Sequence, residues 1–288
     1  MFLLKGKRLT SLVLVGIMIL SFASIRIPVL ALSEEEISAP SAVLMEPTTR
    51  KILFEKNPHE IRACASITKV MTLILVFEAI EEGKISYEDI VTTSAHAASM
   101  GGSDIWLEPG ETMSVHDMIK AVVVASANDA AVALAELVSG TEDEFVARMN
   151  ERAKELGMND TVFKNCNGLD EEGHLTCAYD VALMSAELIK HEKIFEFSSI
   201  WLDYLRDGET QIVNTNKLLK YYKGITGLKT GTTGQAGSCM TATAQRDGLS
   251  LVAVVLGCDT GTGRFSDAAK LLDFGFSYYV HHGRSEYP

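Results

Sequence analysis

The sequence lacks the features of several large functional classes. Its five cysteines show neither C-x-x-C spacing nor the Cys/His clustering that zinc requires, so no metal is implied, and no cofactor motif is present. Basic residues are the minority, 26 Lys and Arg against 38 Asp and Glu, and a net charge of −12 argues against nucleic acid or anionic lipid as the partner. The histidines are scattered without a partnered Ser or Asp motif, which disfavours a Ser-His-Asp hydrolase. The sequence also has no internal repeat and no low-complexity linker. Metal-binding, nucleic-acid-binding and Ser-His-Asp hydrolase functions are therefore disfavoured.

The first 31 residues have the pattern of a secretory signal peptide. Three basic residues, Lys5, Lys7 and Arg8, precede seventeen uncharged, mostly apolar residues, and the small residue Ala31 offers a cleavage position. The alternative is a retained membrane anchor, because seventeen residues reach the lower end of the roughly 17–25 that span a bilayer. Either interpretation places the working part of the chain outside the cytoplasm, secreted or at the outer face of the membrane. Membrane contact is expected only if the segment is retained.

The rest of the chain predicts a mixed α and β domain over residues 37–288. Two strands, Ser41 to Glu46 and Lys51 to Glu55, flank a turn, and a nearly all-apolar run from Ser66 to Glu82 predicts a buried central helix. Capping sequences at Ser114 and Thr141 begin further helices. The remaining elements are a helix at 179–190, strands at 225–230, 238–245 and 249–257 with an Asp247-Gly248 hairpin, and a closing helix at 268–280. The order predicts a central antiparallel sheet shared by both ends, flanked by helices, and a mostly helical lobe from the middle. Cys239 and Cys258 would lie on neighbouring strands, where buried free thiols are favoured over a disulfide.

A serine and a lysine stand one helical turn apart at the entrance of the central helix. Ser66 and Lys69 therefore share a face and can touch. Lysine can activate a serine hydroxyl only when it is neutral, and lowering its pKa from ~10.4 to about 7–8 requires roughly 4 kcal/mol. Burial and the helix N-terminus contribute, and a second cation at ~6 Å would add roughly 3 kcal/mol. The pair thus predicts a nucleophile and its base, with another positive charge nearby.

Two other segments supply the partners that this chemistry needs. Leu228 to Gly234 reads L-K-T-G-T-T-G, a strand-like run that can present Lys229 and backbone N–H groups to a substrate carboxylate, while Gly231 leaves the approach open. Ser126 and Asn128 lie at a polar corner between two predicted helices, and offer a hydroxyl to pass a proton and an amide to hold a substrate amide. Each motif alone is weak, but S-x-x-K, S-x-N and K-T-G in this order form the set typical of penicillin-binding proteins and class A β-lactamases.

From about Ser41 to Tyr279 the chain resembles the low-molecular-mass penicillin-binding proteins that are D-alanyl-D-alanine carboxypeptidases. Beyond the three motifs, the resemblance rests on Leu107-Glu108-Pro109-Gly110, Asn128-Asp129-Ala130, Asn167-Gly168-Leu169-Asp170 and Leu271-Leu272-Asp273-Phe274-Gly275-Phe276. It implies a β-lactamase/transpeptidase-like fold. It also implies a serine-type D-Ala-D-Ala carboxypeptidase that removes the terminal D-alanine from peptidoglycan stem pentapeptides through an acyl-enzyme and is acylated and inhibited by β-lactams.

The resemblance also implies a role for each site residue. Ser66 attacks the carbonyl between two D-alanines, Lys69 is the general base, and Ser126 relays the proton to the leaving amine. Asn128 holds Lys69 and the substrate amide. The backbone N–H groups of Ser66 and Thr232 form the oxyanion hole. Lys229 binds the terminal carboxylate and lowers the pKa of Lys69, with Thr230 assisting, and Arg264 resembles a second basic residue near the carboxylate. Gly231 and Thr232 complete the substrate-binding strand.

Two departures from the family pattern and two rival functions stand beside this interpretation. Cys64 replaces the usual proline before the serine, with packing the expected role of the thiol, and the sequence ends where many relatives continue into a β-rich domain. A class A β-lactamase deacylates with a glutamate, but the corresponding stretch, residues 161–168, holds no carboxylate. A non-catalytic wall or antibiotic sensor is the other alternative. The acidic run Asp170-Glu171-Glu172 is expected to be a solvated loop.

Overall fold

A five-stranded antiparallel sheet joins the two ends of the chain in the computed structural model, which describes residues 32–282. Its order is β2-β1-β9-β8-β7, so the first strand pairs with the last. The prediction that both ends share one sheet is confirmed. The signal-peptide prediction for residues 1–31 lies outside the described residues. The strands are β1 (Ser41–Glu46), β2 (Lys51–Lys56), β7 (Ile225–Thr233), β8 (Gly237–Arg246) and β9 (Leu249–Cys258).

Both faces of the sheet are buried, as the alternation along β9 illustrates. Val252 and Val254 pack into the core shared with the helical lobe, whereas Leu251, Ala253 and Val255 pack into a second core beneath the C-terminal helix, α8 (Gly261–His282). Successive side chains of a strand point to opposite faces, so one apolar run can serve two cores. The β8–β9 turn has both Asp247 and Gly248 at positive φ, 50° and 81°, as a type I′ turn requires.

The middle of the chain forms the helical lobe. Ser114 and Thr141 accept backbone N–H bonds of 3.1 Å and 3.2 Å as helix caps, and Gly157 ends α5 at φ 83°, all as predicted. Two small antiparallel pairs, β3 (Ile90–Thr92) with β4 (Thr112–Ser114) and β5 (Leu202–Leu205) with β6 (Thr210–Val213), flank the lobe. The helices are α1 (Lys69–Glu81), α2 (Ala95–Ala98), α3 (Val115–Lys120), α4 (Asn128–Ser139), α5 (Glu142–Leu156), α6 (Ala178–Leu188), α7 (Ile194–Ser198) and α8 (Gly261–His282).

The central helix begins three residues later than predicted. Ala65–Thr68 form a 3₁₀ turn, and α1 starts at Lys69. Ala65 has φ 50°, a left-handed conformation that cannot continue a helix, so Ser66 sits in a tight turn ahead of α1. From Val70 to Phe77 every side chain of α1 is buried, as its unbroken apolar sequence predicts.

The structure also bears on the C-terminal helix, the cysteines and possible membrane spans. Helix α8 begins at Gly261, seven residues before its predicted start. The backbone N–H of Gly263 donates to Thr260 Oγ1 (3.0 Å) in its first turn. All five cysteines are buried and free, including Cys239 and Cys258 on neighbouring strands, which confirms the preference for thiols. Between residues 32 and 282, none of the helices combines the length and the apolar character needed to cross a bilayer.

Candidate active site

The turn that carries Ser66 is held between a loop and the edge strand β7. A Cβ at Gly168 would lie 2.0 Å from the Ala65 carbonyl oxygen, and a Cβ at Gly231 would lie 2.9 Å from Ser66 N. Only glycine allows backbone to approach so closely. The resulting close packing fixes Ser66 N beside the K-T-G strand, where the sequence predicted an oxyanion hole.

Lys69 is fully buried and touches three oxygen atoms. Its Nζ lies 3.0 Å from Ser66 Oγ, 2.5 Å from Asn128 Oδ1 and 2.6 Å from the Asn167 carbonyl oxygen. The two carbonyl-type oxygens can only accept hydrogen bonds, so they take two N–H groups of the amine in either protonation state. In the neutral amine the remaining position is a lone pair that faces Ser66 Oγ.

Burial lowers the pKa of Lys69 to about 7, and this is the largest cause of the shift. The nearby Cys166, Asp104 and Asp129 oppose it by favouring the ammonium form. About half of the Lys69 population is therefore neutral at neutral pH. Burial is therefore the main cause of the lowered pKa, and the second cation that the sequence predicted is an additional one, Lys229.

Lys229 provides the second buried amine, on β7. Its Nζ donates to Ser126 Oγ (2.8 Å) and to the Thr230 carbonyl oxygen (2.9 Å). Burial lowers the pKa of Lys229 well below its usual value, and repulsion from Lys69 and then Arg264 lowers it further. The repulsion shows that the two amines are close enough to be coupled, so charge on one disfavours charge on the other.

Ser126 and Asn128 occupy the corner between a π-helical turn (Ala121–Ala125) and α4. Ser126 has φ 63°, which turns the chain sharply and directs its hydroxyl to Lys229. Asn128 is anchored through its Nδ2 to the Gly101 carbonyl (2.6 Å) and through its backbone N–H to the Ser103 carbonyl (2.7 Å). The corner thus contacts both amines, one through each predicted side chain.

The free edge of β7 forms the wall opposite that corner. Thr230 Oγ1 donates to Thr215 Oγ1 (2.6 Å), and Arg264 from α8 donates through Nη1 to the Gly231 carbonyl (2.9 Å) and to Thr232 Oγ1 (2.7 Å). The structure therefore links all nine predicted site residues in one continuous set of contacts. The first group is Ser66, Lys69 and Asn128, the second is Ser126, Lys229 and Thr230, and the third is Gly231, Thr232 and Arg264.

Three contributors were not identified from the sequence as parts of this site. The Asn167 carbonyl binds Lys69, which no side-chain pattern can announce. Asp170 was expected in a solvated loop; it is exposed, but its Oδ1 accepts from Thr233 Oγ1 at 2.6 Å and ties the loop to the end of β7. His174 is buried, and its Nε2 lies 2.7 Å from Thr68 Oγ1, inside the turn that holds Ser66. The N-G-L-D stretch was the one available signal for the first two.

One group of metal-type donors lies in the described part of the chain, apart from these contacts. Between residues 32 and 282, a single group of three donors is close enough to hold an ion: His59, Asp160 and Cys177, whose ligand atoms lie within 4.8 Å of one another. None of the three contacts the nine site residues. Cys64, beside the nucleophile, is fully buried, and burial raises the pKa of its thiol to about 12, so it packs as a neutral group.

Proteins similar to this chain are D-alanyl-D-alanine carboxypeptidases. The D-alanyl-D-alanine carboxypeptidase family model matches residues 29–260. The chain is 50% identical over 282 residues to D-alanyl-D-alanine carboxypeptidase DacF of Bacillus subtilis, covering 96% of this chain and 72% of DacF. It is 36% identical to DacC of Escherichia coli, covering 86% of this chain and 64% of DacC, so it spans about two thirds of the length of these relatives.

Solved structures give the same result. The D-alanyl-D-alanine carboxypeptidase DacD from Francisella tularensis superposes with a TM-score of 0.81 at 30% identity, covering 88% of this chain and 73% of that one. Penicillin-binding protein D2 from Listeria monocytogenes, in its ampicillin-bound form, gives 0.76 at 33% identity, covering 83% and 98%. The predicted family and fold class are therefore confirmed. The chain belongs to the D-alanyl-D-alanine carboxypeptidase family of serine peptidases.

Proposed function

We propose that this chain removes the terminal D-alanine from peptidoglycan stem pentapeptides with Ser66 as nucleophile and Lys69 as general base. The observation that carries the proposal is the 3.0 Å contact between Lys69 Nζ and Ser66 Oγ, made by an amine whose pKa is lowered to about 7. A base of this pKa is well matched to proton abstraction near neutral pH. The family membership of the chain supports the same reaction.

In the acylation step, the lone pair of neutral Lys69 takes the hydroxyl proton as Ser66 Oγ bonds to the carbonyl carbon between the two D-alanines. The carbonyl oxygen gains the displaced electron pair. The backbone N–H groups of Ser66 and Thr232 are the donors for this oxyanion, and the close packing of Gly231 against Ser66 supports that pairing. Such a donor typically contributes about 3–4 kcal/mol to the transition state.

The tetrahedral intermediate then expels the amine of the terminal D-alanine. This nitrogen needs a proton, and the one that Lys69 took from Ser66 is passed to it through Ser126, which leaves Lys69 neutral again. The Ser126 oxygen accepts from Lys229 at 2.8 Å, so the hydroxyl hydrogen of Ser126 is available to the leaving nitrogen. Free D-alanine leaves, and water then cleaves the ester on Ser66, returning the stem tetrapeptide and the free hydroxyl. Residues 161–168 carry no carboxylate to accelerate this last step toward β-lactam substrates.

The carboxylate of the terminal D-alanine is proposed to bind beside β7. Arg264 supplies positive charge beside the strand, Lys229 supplies an amine whose charged form a carboxylate would favour, and Thr230 supplies a hydroxyl. Because the chain as a whole is strongly acidic, this local positive charge is a selective feature of the cleft. β-Lactam antibiotics carry a carboxylate next to their reactive amide, so we propose that they occupy the same position and acylate Ser66.

The site of action follows from the substrate. Peptidoglycan lies outside the cytoplasm, so we propose an extracytoplasmic enzyme, secreted or at the outer face of the membrane. The signal-like residues 1–31 support export. Contact with the membrane is proposed only for a chain that retains this segment.

The test is release of D-alanine from a pentapeptide ending in D-Ala-D-Ala. We expect release by the wild-type chain and none by Ser66→Ala, with a matched Ser139→Ala variant, in the last residue of α4, active. A long-lived penicillin adduct on Ser66, seen by intact mass, should accompany it. Rapid drug turnover would favour the β-lactamase alternative, and an adduct without D-alanine release would favour the non-catalytic sensor.

A further inference from the structure

A cluster of metal-type donors lies apart from the cleft, where three separate segments of the chain meet. His59 follows β2, Asp160 follows α5, and Cys177 is the N-cap of α6. His59 Nδ1 lies 2.8 Å from Asp160 Oδ2, and Cys177 Sγ lies 3.6 Å from the same oxygen. One carboxylate oxygen is thus shared by an imidazole and a thiol.

The three donor atoms lie within 4.8 Å of one another, and the sulfur–oxygen separation matches that of a tetrahedral zinc site. With Zn–S of about 2.3 Å and Zn–O of about 2.1 Å, the sulfur and oxygen of a tetrahedral site stand about 3.6 Å apart, which is the separation in the structure. The nitrogen and oxygen would stand about 3.3 Å apart, so His59 must withdraw by about half an ångström. His59 has 62% of its side chain accessible, and its ring lies against Tyr179, with ring centroids 5.1 Å apart, so the movement would slide the imidazole along that ring.

The surroundings of the cluster hold its ligands in place. The backbone N–H of Asp160 and the hydroxyl of Thr161 both donate to Asp180 Oδ2, at 2.8 Å and 2.7 Å. Cys177 Sγ accepts the backbone N–H of Asp180 at 3.4 Å. Such supporting hydrogen bonds orient ligands before a metal arrives, and their loss typically weakens binding 10–100-fold.

We propose that His59, Asp160 and Cys177 form a binding site for Zn²⁺, with a fourth position open to water. An imidazole, a thiolate and a carboxylate suit zinc, whereas Mg²⁺ and Ca²⁺ prefer all-oxygen sites. Burial raises the pKa of the Cys177 thiol to about 12, so without a metal the thiol keeps its proton. A bound ion displaces that proton to solvent as the sulfur lone pair bonds to the metal. No oxidation or reduction takes place.

A zinc ion at this site would link the segment that precedes Ser66, which contains His59, to the segment that contains Cys177. His59 precedes Arg62, which pairs with Thr176 through two backbone hydrogen bonds of 2.8 Å and 2.9 Å, and Thr176 directly precedes Cys177. The metal would therefore close a second cross-link beside that isolated bridge, on the segment between β2 and Ser66. The site binds an ion whether or not the chain is a carboxypeptidase, so the two proposals fail independently.

Co²⁺ is the probe for the ligand set, because a cobalt–thiolate bond produces a charge-transfer absorption that oxygen and nitrogen ligands alone do not. Metal is first removed from the full chain, and its cysteines are kept reduced by a reductant that is not itself a thiol. The protein is then titrated with Co²⁺ and afterwards with Zn²⁺. We expect one equivalent of Co²⁺ to develop the charge-transfer band and Zn²⁺ to abolish it. The melting temperature should rise with the logarithm of the Zn²⁺ concentration.

Matched variants separate this site from other thiols and histidines. Cys177→Ser should lose the band while remaining folded, because serine also caps helices. His59→Ala should weaken Zn²⁺ binding at least tenfold. Cys258→Ser and His191→Asn, the second altering a histidine that contacts Glu81 at 2.6 Å, should bind as the wild type does. A wild-type chain without the band at saturating Co²⁺, or a band that persists in Cys177→Ser, would overturn the proposal.

Discussion

Replacing Lys69 by arginine tests the general-base role most directly. With a pKa of about 7, roughly half of Lys69 is neutral at pH 7, whereas about one in three thousand molecules of an amine with an unshifted pKa of 10.5 would be neutral. The difference corresponds to about 5 kcal/mol of destabilised positive charge. Arginine cannot be deprotonated in a protein, so Lys69→Arg keeps the charge and removes the base.

We expect Lys69→Arg to slow acylation of Ser66 by at least about 10³-fold, within the range that general bases contribute. The rate is measured as the growth of the penicillin adduct by intact mass, and in parallel as D-alanine release. The matched control is Lys120→Arg. Lys120 is also buried, and it donates to the Tyr204 carbonyl at 2.9 Å, but it has no contact with the nine site residues.

The control should acylate at nearly the wild-type rate, and thermal unfolding should establish that both variants are folded. In the wild type, the acylation rate should fall about tenfold per pH unit below an apparent pKa near 7, because protonated Lys69 has no lone pair. Acylation of a folded Lys69→Arg variant within tenfold of the wild type would refute the reasoning.

Three further outcomes are expected. Lys229→Met removes an amine whose charged form is coupled to that of Lys69, so in the substrate complex the acid limb of the acylation profile should move to higher pH and KM should rise; a limb that stays or moves lower contradicts the coupling. Gly231→Ala places a Cβ 2.9 Å from Ser66 N and should slow acylation about 10²-fold, while Gly234→Ala, with open space around it, should not. Burial lowers the pKa of His174 to about 4, below its unfolded value of 6.5, so its contribution to stability is complete above pH 6.5 and is lost as pH falls toward 4; urea unfolding of His174→Gln should lack this loss of up to about 3 kcal/mol.

The sequence predicted most of the regular structure because local signals and burial agree there. The apolar alternation, the Asp247-Gly248 turn and the caps at Ser114 and Thr141 all specify the elements that formed. The predicted start of α1 was wrong because Ala65 has a left-handed backbone conformation at a contact with a distant segment of the chain. The Gly168 backbone presses on the Ala65 carbonyl, a tertiary contact that the sequence around Ala65 does not encode.

The site was predictable to the extent that side chains define it. Ser66, Lys69, Ser126, Asn128 and Lys229 carry chemistry that their residue types announce, and the structure joins them by hydrogen bonds. The remainder depends on backbone atoms and on distant pairings. One example is the carbonyl of residue 167 beside the amine, and another is the 101–103 backbone that fixes the amide. Neither leaves a trace in residue spacing.

The electrostatics of the two amines give a reason for their joint burial. Lys229 without a ligand is an amine whose pKa is lowered by burial and by its neighbours, and a bound carboxylate would raise that pKa and favour the charged form. A charged Lys229 in turn disfavours a proton on Lys69, because the two amines repel each other. In the proposed mechanism, substrate binding therefore prepares the base that attacks it. A substrate that lacks the terminal carboxylate should lose acylation rate as well as affinity, and this loss should be largest below pH 7, where Lys69 would otherwise hold its proton.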